Sequence, residues 1–168
     1  MMKCTVRPAD IADVELLATL KAACTRENYR GFFDFAPLNE QNEENITTFF
    51  LKVFANSDAH VFILQNSTDA VGYAVLRKVQ NEQGQTEGEF LAIDVLPNVS
   101  MDQFHKLIIA AAEGIADKDI SQVFIYLLNN NFRIRFVFEH IGFKKDGTAL
   151  TQILQEERFE LLRYVYRV

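Results

Sequence analysis

Six side chains around one strand-to-helix junction have the chemistry to hold or transform a ligand: Asp94, Ser100, Asp102, Gln103, His105 and Lys106. They lie within and after the apolar run "FLAIDVLP" and at the head of the amphipathic run "SMDQFHKLIIAA". The start of a helix that follows a strand favours an anion, because its first N–H groups lack partners and its dipole is positive there. His105 and Lys106 would add hydrogen-bond donors for a phosphate. The same residues have a second reading that needs no ligand. Ser100-Met101-Asp102-Gln103 has capping-box form, with Ser at the N-cap and Gln three residues later, so the helix can satisfy its own amides. Asp102 suits the first turn of such a helix.

Other candidate groups are scattered. Glu87 and Glu89 precede the same apolar strand in a polar turn, where solvated carboxylates are expected. Asp94 is an acid within an otherwise apolar run, placed by alternation on a polar face or by function in a site. "RENYRGFFDF" offers Tyr29, Phe32, Phe33 and Phe35 with Arg30 and Asp34, a set that can line a pocket or plug a core. Asn131 has the character of a helix N-cap. His60, His140, Arg133 and Arg135 read as surface residues at element ends or on a helix. No Ser-His-Asp, Cys-His or metal-ligand spacing occurs, and Cys4 and Cys24 form no disulfide framework.

The elements that position these groups follow from periodicity. A strand ends at Pro8, and Asp10 caps a helix carrying Leu16, Leu17, Leu20, Ala23 and Cys24. Ile46, Phe49, Phe50, Val53 and Phe54 recur at helical spacing in a second helix. "HVFILQN" and "AVGYAVLRKV" form a hairpin, and "FLAIDVLP" is the third strand of an antiparallel meander. A helix over about 100–116 precedes "QVFIYLL", a strand buried on both faces. A short helix ended by Gly142 and a final strand, "RFELLRYVYRV", close the order β-α-α-β-β-β-α-β-α-β. With 49% hydrophobic residues, 15 Phe and no Trp, the 168 residues suit one domain, 1–168, with a Phe-rich core. The fold class is α/β (α+β), a mixed, mostly antiparallel sheet of about six to seven strands with helices on both faces. A net charge of −6 argues against nucleic acid or an anionic membrane as partner. Two thiols and no apolar run of spanning length point to a cytoplasmic protein. The β-forming end "YVYRV" is able to pair with a second copy, as in a homodimer.

This order, with four local strings, resembles the GNAT superfamily of acyl-CoA-dependent N-acetyltransferases over nearly the whole chain. The strings are "TVRPADIADVELLATL", "AVGYAVLRK", "FLAIDVLPNVS" and "NNNFRIRFVFEHIGFKKDG". The resemblance implies an enzyme that moves an acetyl group from acetyl-CoA to an amine of a small molecule or protein. It implies an acyl carbonyl near Val95, and coenzyme A held around Gln103, Phe104, His105, Lys106 and Asn131. It places Glu89 as a candidate base and Tyr29, Arg30 and Phe33 on the acceptor side. Two departures stand against it. The family's loop glycines are replaced, with Ser100, Gln103 and His105 at its signature positions, and Phe138 stands where the family's proton-donating Tyr would be. The alternative is a catalytically inactive GNAT-fold binding or regulatory module.

Overall fold

Arg7 closes the first strand by gripping the start of the first helix. Its guanidinium bonds Asp13 through Nη1 at 2.9 Å and Nη2 at 2.7 Å. Asp13 in turn accepts the Asp10 N–H, and Asp10 accepts the Ala12 N–H at 2.8 Å, a reciprocal cap. The pair raises the Arg7 pKa and lowers that of Asp13, in each case mainly through their hydrogen bond. This is a computed structural model, which describes residues 3–28, 43–117, 119–154 and 156–168.

Strand β1 is Cys4–Pro8, and a 3-10 turn, Ile11–Asp13, runs from Asp10 into α1, Val14–Asn28. Helix α2 is Glu43–Ala55, followed by β2, Ala59–Asn66, β3, Asp69–Gln80, and β4, Thr86–Val95. Then come α3, Met101–Ile115, β5, Gln122–Leu128, α4, Phe132–Ile141, β6, Lys144–Leu154, and β7, Glu157–Arg167. The seven strands form one mixed sheet in the order β1-β2-β3-β4-β5-β7-β6. The pairs β1/β2, β2/β3, β5/β7 and β6/β7 are antiparallel and β4/β5 is parallel.

The chain divides into two compact units. In the first, Met1–Arg77 with Leu91–Ala111, α1 buries Val14, Leu17, Ala18 and Cys24, a stripe at helical spacing. Leu16, expected on that stripe, is 39% exposed because, two residues after Val14, it falls on the far side of the helix. Helix α2 buries Ile46, Phe50 and Val53 as its spacing predicts, and both helices share a core with Val61, Ile63, Tyr73 and Val75. The alternate residues Phe62, Leu64, Ala74 and Leu76 are buried too, so β2 and β3 are covered on both faces. Helix α3 is fastened beside these strands by two bonds. Gln103 Nε2 donates to Asn66 Oδ1 at 2.9 Å, and Lys106 Nζ to the Cys4 carbonyl at 2.6 Å.

In the second unit, Lys78–Phe90 with Ala112–Val168, β4 pairs with β5 at Gly88 opposite Val123 and Glu89 opposite Phe124. Helix α4 starts at Asn131, whose side chain accepts the Ile134 N–H, and stops at Gly142. Gly142 has φ of 114°, the left-handed conformation that a glycine adopts without strain. Val137, Phe138 and Ile141 are the buried face of α4, with the Phe138 ring edge-on to Phe143 at 5.0 Å.

Two expectations need correction here. Lys144–Leu154, absent from the sequence-read order, is a strand: it is an exposed edge with a register irregularity between Lys145 and Ala149, so it carries no buried alternation to read. As a result β7 lies between β5 and β6, and "YVYRV" is paired within this chain along most of its length. Tyr164 and Val165 have strand partners on both sides, and Tyr166 and Arg167 pair with β5.

Candidate functional site

Helix α3 opens with the reciprocal bonds that its sequence predicts. The Gln103 N–H donates to Ser100 Oγ at 3.2 Å, and the Ser100 N–H donates to Gln103 Oε1 at 3.0 Å. Gln103 is thereby engaged through its N–H, Oε1 and Nε2. Phe104 is buried in the core, Lys106 is turned onto Cys4, and His105 is exposed. In a helix starting at Met101, the amides of Met101 and Asp102 have no intrahelical acceptor. Among the described residues of this helix start, the outermost amides and His105 are open to an anion, without a glycine cradle.

One turn of chain earlier, β4 ends at Asp94 and Val95. The Leu96 N–H donates to the Val71 carbonyl at 2.9 Å, and N–H directions alternate along a strand. The Val95 peptide therefore faces away from β3. Gly72 lies against Val95: a Cβ on it would stand 2.7 Å from Val95 Cγ1 and 3.1 Å from the Asp94 carbonyl.

Asp94 brings a carboxylate into the first unit. Only 12% of its side chain is exposed, and Tyr73 donates its hydroxyl proton to Asp94 Oδ2. Lys21 Nζ lies 3.9 Å from the same oxygen and 3.3 Å from Tyr73 Oη. Burial pushes the Asp94 carboxyl above the ordinary carboxylate range, while Lys21 and the Tyr73 bond pull the other way. Such a carboxylate can receive a proton from a neighbouring ammonium more readily than a solvated one. Burial likewise pushes the Cys24 thiol up to about 12, with the Asp94 charge adding to the effect. Nothing local in the sequence marks Tyr73 as a site residue. The one available signal was that Lys21 falls on the apolar stripe of α1, seven residues after Val14 and three before Cys24.

In the second unit the carboxylates behave differently from the expected solvated turn. Glu87 is buried and accepts both from Arg163 Nη2, at 2.9 Å to each oxygen, and from Gln122 Nε2 at 2.6 Å. Arg163 also stacks over Phe124 at 4.1 Å and lies 3.4 Å from Asp146. The turn hides an anchored ion pair because the strand begins at Thr86, earlier than its polar composition suggests. Glu89 is half-buried in β4. Arg135, expected as an exposed charge, donates to Tyr164 Oη at 2.8 Å and to the Asn129 carbonyl at 2.6 Å, and Tyr164 donates to Glu139. Arg133 and His140 are exposed, and His60 is half-buried. Phe138 is fully buried. Tyr29, Arg30 and Phe33, with Phe32, Asp34 and Phe35, lie outside the described residues.

Among the described residues no group of three or more His, Cys, Asp or Glu side chains could hold a metal ion, and no helix is long and apolar enough to cross a membrane.

No family model and no curated protein sequence matches the chain. Solved structures do. The PaiA N-acetyltransferase of Thermoplasma acidophilum, in complex with coenzyme A, matches with a TM-score of 0.73 at 16% identity, over 98% of this chain and 100% of that one. The ribosomal-protein-alanine N-acetyltransferase of Brucella melitensis matches at 0.72 and 17%, over 98% and 99%. An acetyltransferase of the GNAT family from Streptococcus pneumoniae matches at 0.67 and 16%, over 99% and 100%. At these identities the likeness concerns the fold.

Proposed function

We propose that this chain, which has the GNAT fold, transfers an acetyl group from acetyl-CoA to an amine of a small molecule or protein, using an atypical pyrophosphate loop. The observation that carries the reading is the buried Asp94–Tyr73 pair at the end of β4.

On this reading Asp94 accepts the proton that the acceptor ammonium must lose before it can attack, and Tyr73 fixes the carboxylate. The family resemblance puts the acyl oxygen, where negative charge develops, near Val95. Glu89 takes the place of second candidate base, farther back along β4. Phe138 has no proton to give, so water protonates the leaving thiolate. Acetyl-CoA supplies the thioester. Its phosphates would be held by the first-turn amides of Met101 and Asp102 and by the exposed His105, with Gln103 and Ser100 closing the space that glycines would leave open. Phe104, Lys106 and Asn131, expected near the cofactor, serve this reading by holding α3 and α4 in place.

The reciprocal Ser100–Gln103 cap favours a second reading, a catalytically inactive GNAT-fold binding or regulatory module, since a helix that satisfies itself needs no phosphate. Isothermal titration with acetyl-CoA at low and moderate salt separates the two. Micromolar binding that weakens with salt supports the enzyme. No heat up to millimolar ligand overturns it in favour of the module.

A further inference from the structure

Lys21 occupies a place where a helix ordinarily puts an apolar residue. It follows Leu17 and Ala18 and precedes Cys24 on the inner stripe of α1, and those neighbours are 0%, 1% and 0% exposed. Its own side chain is 17% exposed. A lysine in such a position usually carries its charge out to water. Here the ammonium turns inward instead, 3.3 Å from Tyr73 Oη, 3.9 Å from Asp94 Oδ2 and 5.6 Å from the centre of the Phe49 ring.

A carboxylate, a hydroxyl oxygen and an aromatic face are the groups that recognise an alkylammonium. The three come from three elements, β4, β3 and α2, and converge on one cation. The ion pair is the loosest contact among them. Asp94 has its tight bond to Tyr73 and meets Lys21 only at the outer limit of ion-pair distance. The ammonium can therefore leave while the Tyr73–Asp94 bond stays intact. Removing a cation from beside a buried carboxylate is costly unless another cation replaces it. Exchanging one alkylammonium for another preserves the charge balance and the aromatic contact.

We propose that Asp94, Tyr73 and Phe49 form a binding site for a primary alkylammonium, and that Lys21 fills it as an internal stand-in until an incoming amine displaces it. The inference builds on the acyl-transfer reading, because it assigns the acceptor amine's place and a gate upon it. In that scheme Lys21 is a positioning residue, keeping the site charge-balanced before the acceptor arrives.

The test is a titration of the whole protein with n-butylammonium chloride at constant ionic strength, with tetramethylammonium chloride as the control ion. It is run on the unaltered protein, on Lys21→Met and Lys21→Gln, and on Lys21→Met combined with Asp94→Asn. If Lys21 fills the site in about nine molecules of ten, its removal tightens butylammonium binding about tenfold. Both single variants should show this, the double variant should lose it, and tetramethylammonium, which has no N–H to donate, should bind none of them tightly. A tripeptide with one internal lysine, titrated in parallel, separates a protein amine from a small one by which probe gains more. Equal butylammonium affinity with and without Lys21, or a gain that survives Asp94→Asn, overturns the proposal. Circular dichroism of each variant shows that it is folded before it is titrated. Acetyl-CoA is titrated separately, so a protein that gains amine binding but ignores acetyl-CoA keeps the site and loses the enzyme.

Discussion

Tyr73 on β3 and Asp94 on β4 share a hydrogen bond on the strand face that also carries Val61, Ile63 and Val75, the face packed by α1 and α2. The bond places a carboxylate among core residues, and this has a consequence for acid stability. Burial holds the folded-state pKa of Asp94 above 3.8, so the folded chain binds this proton more tightly than the unfolded chain. The stabilisation from this group is complete below 3.8 and is lost as pH rises through the folded value. Asp94→Asn removes that dependence. The stability of the unaltered protein relative to Asp94→Asn should therefore fall as pH rises above 3.8, as followed by urea titration. Tyr73, Lys21 and Cys24 surround the carboxyl and are held constant in the comparison. Asp13 behaves oppositely: Arg7 lowers its pKa, so its contribution is present above 3.8 and is lost as pH falls through the lower folded value.

Ser100→Ala removes one half of the α3 cap. The Gln103 N–H then loses its acceptor, at a cost of about 1 kcal/mol. Chemical denaturation measures the loss. On the acyl-transfer reading, the freed amide joins those facing the phosphates, and acetyl-CoA should bind more tightly.

Glu87→Gln leaves the Arg163 guanidinium stacked on Phe124 with only a long approach to Asp146. Stripping a buried ion pair of one partner costs about 3 kcal/mol. The combined change Glu87→Leu with Arg163→Met should recover most of that loss, because two apolar side chains can replace a buried pair nearly without penalty. A full additive loss in the double variant, seen in the unfolding midpoint, would contradict this account.

Gly72→Ala tests the packing between β3 and the end of β4. The new methyl would stand 2.7 Å from Val95 Cγ1 and 3.1 Å from a backbone oxygen that cannot easily yield. A cost of about 1–3 kcal/mol is expected from such crowding. Thermal melting reads the cost, and the shift of Val95 should also weaken turnover on the acyl-transfer reading.

Phe138→Tyr restores the residue type of the resembled family. Phe138 is fully buried against Phe143, so the added hydroxyl enters the core of its unit and costs about 1–3 kcal/mol if it finds no acceptor. A lowered melting point without faster acetyl transfer is the expected outcome. Unchanged stability with faster transfer would mean that the position faces the reaction.

Local signals were readable because their causes are local. The Ser100–Gln103 cap, the Asn131 start and the Gly142 stop of α4 each depend on residues within four positions of one another. The stripe of α2 follows from its own spacing. Strand β6 was hidden because an exposed edge has no buried alternation, and Asp146-Gly147, at its register irregularity, reads as loop. The chemistry of the candidate site was less legible for a different reason. Lys21 and Tyr73 are 52 positions apart, and Glu87 and Arg163 are 76 apart, so only folding brings them together. A buried Glu87 cannot be told from a solvated one when its partner lies on a strand so distant in the chain.

The two cysteines differ in a way that serves experiment. Cys24 is fully buried with its thiol pushed up to about 12, so it carries almost no thiolate at neutral pH and should stay silent toward alkylating dyes. Cys4 is partly exposed, and its own carbonyl receives Lys106 from α3. A single fluorophore therefore attaches at Cys4 without mutagenesis. It sits within a residue of the contact that anchors the first turns of α3, and its emission would report, in the native sequence, whenever that helix start shifts.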